Sequence, residues 1–159
     1  MAGVSLRRWY LRWSLRHVGF YPPFVAAGIR VPVCDPEGGV YQAHMRLSFY
    51  NRNALGTHFG GSLYAMCDPF FALILVEQLG PGYGVWDRSA EIEFLRPGRG
   101  RVSATFEIDA SQVAEIRQDA DEGHVVEPVF VAEVKDEADQ LVARVTKVIH
   151  VRKKASLQG

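Results

Sequence analysis

The chain has 159 residues, 48% of them hydrophobic and 23% charged, with 18 basic residues balanced by 18 acidic ones. That length is one domain with room for a sound core, and zero net charge argues against a nucleic acid or an anionic membrane as the main partner. Two cysteines, Cys34 and Cys67, make neither a metal-ligand spacing nor a disulfide framework, which fits a reducing cytoplasm and a site without metal.

Residues 1–24 carry Arg7, Arg8, Arg12 and Arg16, with no acid before Asp35. They lack the uninterrupted apolar core of a secretory signal. Leu6, Tyr10, Trp13 and His17 fall at helical spacing with Trp9 flanking the same face, so an amphipathic helical extension is expected. It should pack its aromatic side on the domain and leave its arginines in water; contact with a membrane surface is the less favoured alternative. Pro22 and Pro23 should end it. The main domain spans residues 25–152, and residues 153–159 form a frayed tail.

Val40 to Tyr50 alternates strictly, with Tyr41, Ala43, Met45, Leu47 and Phe49 on one face and Gln42, His44, Arg46 and Ser48 on the other. The run from Asn53 to Leu79 then opens with polar residues and a Gly pair and turns apolar on every side, which predicts a buried helix over Leu63–Leu79. Gly80-Pro81 stops it. Ala90, Ile92 and Phe94 alternate with Glu91 and Glu93, and Val102, Ala104, Phe106 and Ile108 with Arg101, Ser103, Thr105 and Glu107. Gln112 to Gly123 reads as a long polar connection with an exposed turn. Two β segments, about 125–135 and 140–152, follow across the turn DEADQ. Consecutive strands with short turns favour an antiparallel sheet. An α+β fold is expected, the sheet curved around one long central apolar helix with a further helix at the N-terminus.

Asp68 interrupts the apolar helix, and an unpaired buried carboxylate costs several kcal/mol in roughly any account of desolvation. Three readings compete: a membrane span, which is too short here and broken by Asp68 and Pro69; a core helix whose Asp68 bonds a nearby backbone group; and a helix whose Asp68 works on a ligand. The Gly60-Gly61 pair favours the last. Helix N-terminal amides have no intrahelical acceptor, glycines admit close approach, and the dipole favours a developing oxyanion there. Cys67 reads as a small core residue rather than a nucleophile. Pro69 removes a helix hydrogen bond beside Asp68, at about 3 kcal/mol.

Asp68 lies seven residues beyond Gly61, on the same helix face but roughly 10 Å further along. An oxyanion donor and a general base must both sit about 3 Å from the reacting atoms. One helix cannot supply both, whereas a second, antiparallel copy can. The spacing therefore points to a homodimer, or a dimer of dimers, with shared sites.

N-A-L-G-T-H-F-G-G over residues 53–61, followed seven residues later by Asp68, resembles the hotdog-fold superfamily and within it the PaaI-like acyl-CoA thioesterases. Those proteins carry N-x-x-G-T-x-H-G-G and an Asp at the same distance, and a following strand that ends near a Pro, as IEFLRP does here. Pattern and order agree from about Arg30 to Arg152. The resemblance implies a hotdog fold and hydrolysis of an acyl-CoA or acyl-carrier thioester, with coenzyme A entering only as part of the substrate and no separate cofactor. It makes Gly60 the residue whose N–H polarises the carbonyl and Asp68 of the partner subunit the general base or nucleophile. Asn53 becomes a structural or water-orienting group.

The sequence departs from that pattern in two places. The family's His before the glycines is Phe59 here, with His58 one place earlier. The Ser or Thr that often holds the attacking water is matched by Asp87, a second carboxylate able to tune or repel the first. His58, Phe59, Gly61 and Asp87 complete the expected substrate contacts. Arg96, Arg99 and Arg101 in LRPGRGR are candidates for coenzyme A phosphates, against a plain solvated turn. The alternatives are a non-catalytic acyl-binding protein, which Phe59 favours, and a hotdog dehydratase or hydratase working through His58 and Asp68.

Overall fold

Alternating apolar residues become the inward rows of a six-stranded sheet in the computed structural model, which describes residues 17–155. The strands are β1 (Ile29–Asp35), β2 (Val40–Arg46), β3 (Tyr83–Phe94), β4 (Arg101–Glu107), β5 (Val129–Asp136) and β6 (Leu141–Lys153). They lie in the order β1-β2-β4-β5-β6-β3, every neighbouring pair antiparallel. Tyr41, Ala43 and Met45 of β2, Val102, Ala104 and Phe106 of β4, and Phe130, Ala132 and Val134 of β5 point inward and are buried. The sheet curves around the apolar helix, as the alternation requires. This is the hotdog arrangement.

The helix comes in two pieces, α2 (Gly60–Cys67) and α3 (Phe70–Leu79), after the short α1 (Pro22–Ala27). Asp68 and Pro69 separate them. Pro69 has no N–H to donate, and the Asp68 N–H turns to the Ala65 carbonyl at 3.4 Å, a tighter, three-residue bond. Phe70, just past the break, stacks on Phe106 at 4.5 Å and touches Tyr41 at 5.0 Å and Phe24 at 6.0 Å between ring centroids. This aromatic cluster fixes the break against the sheet.

Several expectations are corrected. The helix is not buried on every side: Ser62, Leu63, Met66, Cys67, Phe70, Phe71, Ile74 and Leu75 face the sheet, while Tyr64, Ala65, Asp68, Ala72, Leu73 and Val76 form a half-exposed stripe. Pro22 and Pro23 begin α1, because a missing N–H costs nothing in a first turn; the helix they were expected to end falls outside the described residues. The amphipathic segment Leu6–Trp13 and the last residues of the tail lie outside the described residues. The alternation of Val40–Tyr50 holds only to Arg46; Phe49 and Tyr50 are exposed in a loop.

Residues 112–121 are not a connection: they belong to α4 (Ala110–Asp121), whose Val113, Ile116 and Ala120 are buried at helical spacing, and only Glu122 and Gly123 form the expected turn. At its start the Asp109 N–H donates to Gln112 Oε1 at 3.2 Å, one arm of a capping box. Arg117 donates to the Gln78 and Leu79 carbonyls, so α4 caps the C-terminus of α3.

Asn51, which the sequence does not single out, ties the loop before α2 to the rest. Its Nδ2 donates to the Ala27 and Arg46 carbonyls, both at 2.9 Å, and its Oδ1 accepts from the Ser48 N–H at 2.8 Å. It is buried. Asn51→Ala strands these groups and is expected to cost about 1–3 kcal/mol. Thermal melting should show a drop of about 2–4 °C per kcal/mol for a chain of this size, and an unchanged midpoint would contradict the assignment.

Candidate active site

β6 runs through the middle of the site, and its inward row reads Val145, Lys147, Ile149, Val151. A lysine stands where period-two patterning calls for an apolar residue. Its side chain is 0% exposed and reaches the helix break, where Nζ donates to the Asp68 carbonyl at 2.6 Å and to Asp68 Oδ1 at 2.9 Å. The third partner is Asp87 Oδ1 at 3.1 Å, so all three ammonium protons have acceptors. Tyr64, one turn back on α2, donates its hydroxyl to the same Asp68 Oδ1 at 2.8 Å, and its ring lies 5.5 Å from the ammonium.

Asp68 is therefore neither unpaired nor fully buried. Its side chain is 45% exposed, on the half-exposed stripe of the helix. Tyr64 and Lys147 both bond Oδ1; among the described residues nothing bonds Oδ2. One oxygen is anchored and the other is available.

Asp87 reaches this cluster through a bulge. In the pairing of β3 with β6, Asp87 faces Ile149 and Ser89 faces Val148, which leaves Arg88 as the extra residue. On either side of the bulge Asp87 and Ala90 both face inward, and small Ala90 lies opposite Lys147. Burial raises the Asp87 carboxyl above its usual range, with Lys147 working against that shift. At Lys147 burial disfavours the charge, but Asp68 and Asp87 outweigh it and hold the ammonium above its ordinary value. Burial pushes the Cys67 thiol up to about 12, so it is no thiolate nucleophile.

At the other end of α2, Phe59 stands at the N-cap position with no side-chain capping bond, and Gly60 and Gly61 supply the first helical amides. Two aromatic rings lie over them. A Cβ built on Gly60 would fall 2.8 Å from Phe94 Cζ, and one on Gly61 would fall 2.4 Å from Phe59 Cε1. Both rings are more than half exposed. The glycines thus provide room for aromatic walls as well as access to the amides.

The remaining expected contacts divide. Asn53 organises its loop: Oδ1 accepts from the Leu55 and Thr57 N–H groups, and Nδ2 donates to Thr57 Oγ1 and the His58 carbonyl. These bonds give Asn53 a structural part in the loop. His58 is 3% exposed, and its Nε2 sits 3.1 Å from the Gly100 carbonyl. Burial lowers its pKa, so the ring is neutral and donates from Nε2.

That bond has a consequence for the arginines. The His58 N–H donates to the Gly98 carbonyl at 3.1 Å and the Leu47 N–H to that of Gly100 at 2.7 Å, pinning the turn after β3 against the loop that starts α2. Arg99 is therefore carried beside the helix N-terminus, and Arg101 lies opposite Arg46 across the β2–β4 pair. Both are exposed, as is Arg96, which bonds Gln140. Lys147 and Tyr64 are the site residues the sequence reading missed. The signal for the first was its position on the apolar face of β6.

With this geometry in place, the relationships of the chain are clear. A family model described as a domain of unknown function, DUF4442, matches residues 12–151, and the chain belongs to that family. No curated protein matches it. Among solved structures it is similar to PA5026 of Pseudomonas aeruginosa, described as a protein of unknown function and probable thioesterase, with a TM-score of 0.80 at 18% identity over 90% of this chain and 96% of that one. It is also similar to the thioesterase HI1161 of Haemophilus influenzae, with a TM-score of 0.65 at 16% identity over 91% of this chain and 92% of that one. The PaaI protein of the E. coli phenylacetic acid degradation operon gives 0.61 at 20% identity, over 92% and 95%. At these identities the likeness is one of fold.

Proposed function

We propose that this protein is a thioester hydrolase acting on an acyl-CoA or acyl-carrier substrate, with its site shared between two subunits. The observation that carries the proposal is the Asp68 carboxylate at the helix break, anchored through Oδ1 and open at Oδ2. The Gly60 N–H donates to the thioester carbonyl oxygen and stabilises the negative charge that develops there. A water held by Asp68 of the partner adds to the carbonyl carbon as the carboxylate takes its proton. The C–S bond then breaks, the proton passes to the departing thiolate, and the products are a carboxylic acid and a thiol. Direct attack by Oδ2 is the variant in which an anhydride precedes hydrolysis. The arginines near the helix N-terminus, Arg99 and Arg101 with Arg96, suit the phosphates of coenzyme A.

Two features support a dimer. β3 is a twelve-residue strand at the edge of the sheet, with its outer side open to another chain. The helix offers its half-exposed stripe beside it. Sedimentation at micromolar concentration should show a dimer or larger species; a stable monomer would contradict the shared site.

The rival reading is a non-catalytic acyl-binding protein, and the rings of Phe59 and Phe94 over the glycines favour it. The burial of His58 against Gly100 weighs against the hydratase reading. Incubating the pure protein with a panel of acyl-CoA esters while following free thiol decides the matter. Steady release above the no-enzyme rate is expected; saturable binding without release would establish the rival.

A further inference from the structure

Lys147 is the most deeply buried charge among the described residues, and the hydrolysis just proposed gives it no step. It lies between two carboxylates that come from different elements, Asp68 at the helix break and Asp87 at the bulge of β3. Their bonded oxygens lie 2.9 and 3.1 Å from one nitrogen, which holds them within about 6 Å of each other. Two carboxylates that close, partly desolvated and without a cation, do not both ionise readily; one keeps its proton to higher pH.

We propose that Lys147 is the positioning residue of this site, the internal cation that lets Asp68 and Asp87 stand side by side as carboxylates and turns Asp68 Oδ2 outward. The inference rests on the hydrolase reading for its kinetic consequence but not for its structural one. Three observations carry it. Lys147 is buried in an otherwise apolar row, which is costly for a charge and pointless for packing alone. Its three donors are all committed to the two aspartates, one to the backbone carbonyl at the break itself. The bulge at Arg88 and the small residue Ala90 opposite make the room in which the triad assembles.

The other groups facing the ammonium are few. Tyr64 and Cys67 on α2 are neutral, both pushed towards the protonated form by burial. On β5 the residue paired with Lys147 is Phe130, which is apolar. The ionisation of the two aspartates is therefore set by each other and by Lys147.

Lys147→Met keeps the unbranched stem, one atom shorter, and removes the charge. The test is the titration of the aspartate side-chain carboxyls, followed by 13C resonance in labelled protein, together with the pH profile of kcat/KM for an acyl-CoA ester. In the variant one carboxyl of the pair is expected to titrate about one pH unit or more higher than in the wild type, and the acidic limb of the rate profile to move with it. The double variant Lys147→Met with Asp87→Asn removes the repulsion as well as the cation. It should bring the remaining carboxyl back most of the way to its wild-type titration.

If Lys147→Met does not fold, the single Asp87→Asn variant still decides. Lys147 then serves Asp68 alone, and the surviving carboxyl should titrate no higher than in the wild type. Aspartate titrations unmoved by Lys147→Met, a shift that the double variant does not relieve, or a raised titration in Asp87→Asn would each overturn the inference. A wild-type protein that shows the expected titrations but releases no thiol would sink the hydrolase reading and leave the role of Lys147 standing.

Discussion

Asp68→Asn should reduce thioester turnover by about a hundredfold or more, the scale on which a positioned general base contributes. Binding of a non-hydrolysable acyl-CoA should change little, since the amide occupies the same volume. The substitution also has a structural consequence, because it weakens one partner of the buried Lys147 ammonium and the hydrogen bond from Tyr64. Asp87 remains to hold the cation, and Asp68 is partly solvated, so the loss of stability is about 1–2 kcal/mol. Turnover per folded molecule, assayed well below the melting temperature, separates the two effects. A purely structural Asp68 would lower the melting midpoint and leave turnover per folded molecule intact. Asp87→Asn is the control: if it alone abolished turnover while Asp68→Asn did not, the base would be Asp87.

The largest effect on stability belongs to Phe70. It is fully buried immediately after the break, among Phe24, Tyr41 and Phe106. Phe70→Ala removes a ring from a closely packed cluster and is expected to cost about 3–5 kcal/mol. That is a large part of the 5–15 kcal/mol roughly typical of a whole domain. Chemical denaturation should show the midpoint fall with the slope unchanged. Phe59→Ala, at an exposed ring, should stay within about 0.5 kcal/mol of the wild type. Equal losses at the two positions would mean that the core is not organised around the break.

Strands with a solvent face were legible because alternate burial leaves its mark residue by residue, as in Tyr41-Ala43-Met45 and Val102-Ala104-Phe106. β1 was not, since Pro32 and the slip in register between Arg30 and Val33 blur its alternation; it is an edge strand, where Pro is tolerated. β3 was read only from Ala90 onward, because the bulge at Arg88 shifts the parity and hides Val85 and Asp87 from the same row as Ala90 and Ile92. The helix α4 has only Val113, Ile116 and Ala120 to bury, too thin a stripe to stand out from its charges. A short helix held by one face needs no more.

At the site, the sequence made Asp68 conspicuous by its apolar surroundings and named the glycines by their place before a helix. It could not show which groups meet Asp68, because Lys147 lies 79 positions away in the chain and arrives only through the β3–β6 pairing. His58 and Asn53 were assigned by position in a motif. In the fold, local hydrogen bonding decides both, one turned to Gly100 and the other closing its own loop.

The central claim is that a thioester lies between the amide of Gly60 on one subunit and the carboxylate of Asp68 on the other. A crystal structure of the protein with a non-hydrolysable thioether or ketone analogue of an acyl-CoA tests it most directly. The expected result has the carbonyl oxygen, or its surrogate, about 3 Å from the Gly60 nitrogen of one protomer, and the carbonyl carbon facing Asp68 Oδ2 of its partner directly or through one water. A ligand bound away from the helix N-terminus, or one that reaches Gly60 with no Asp68 from either subunit within a water's span of the carbonyl carbon, would contradict it.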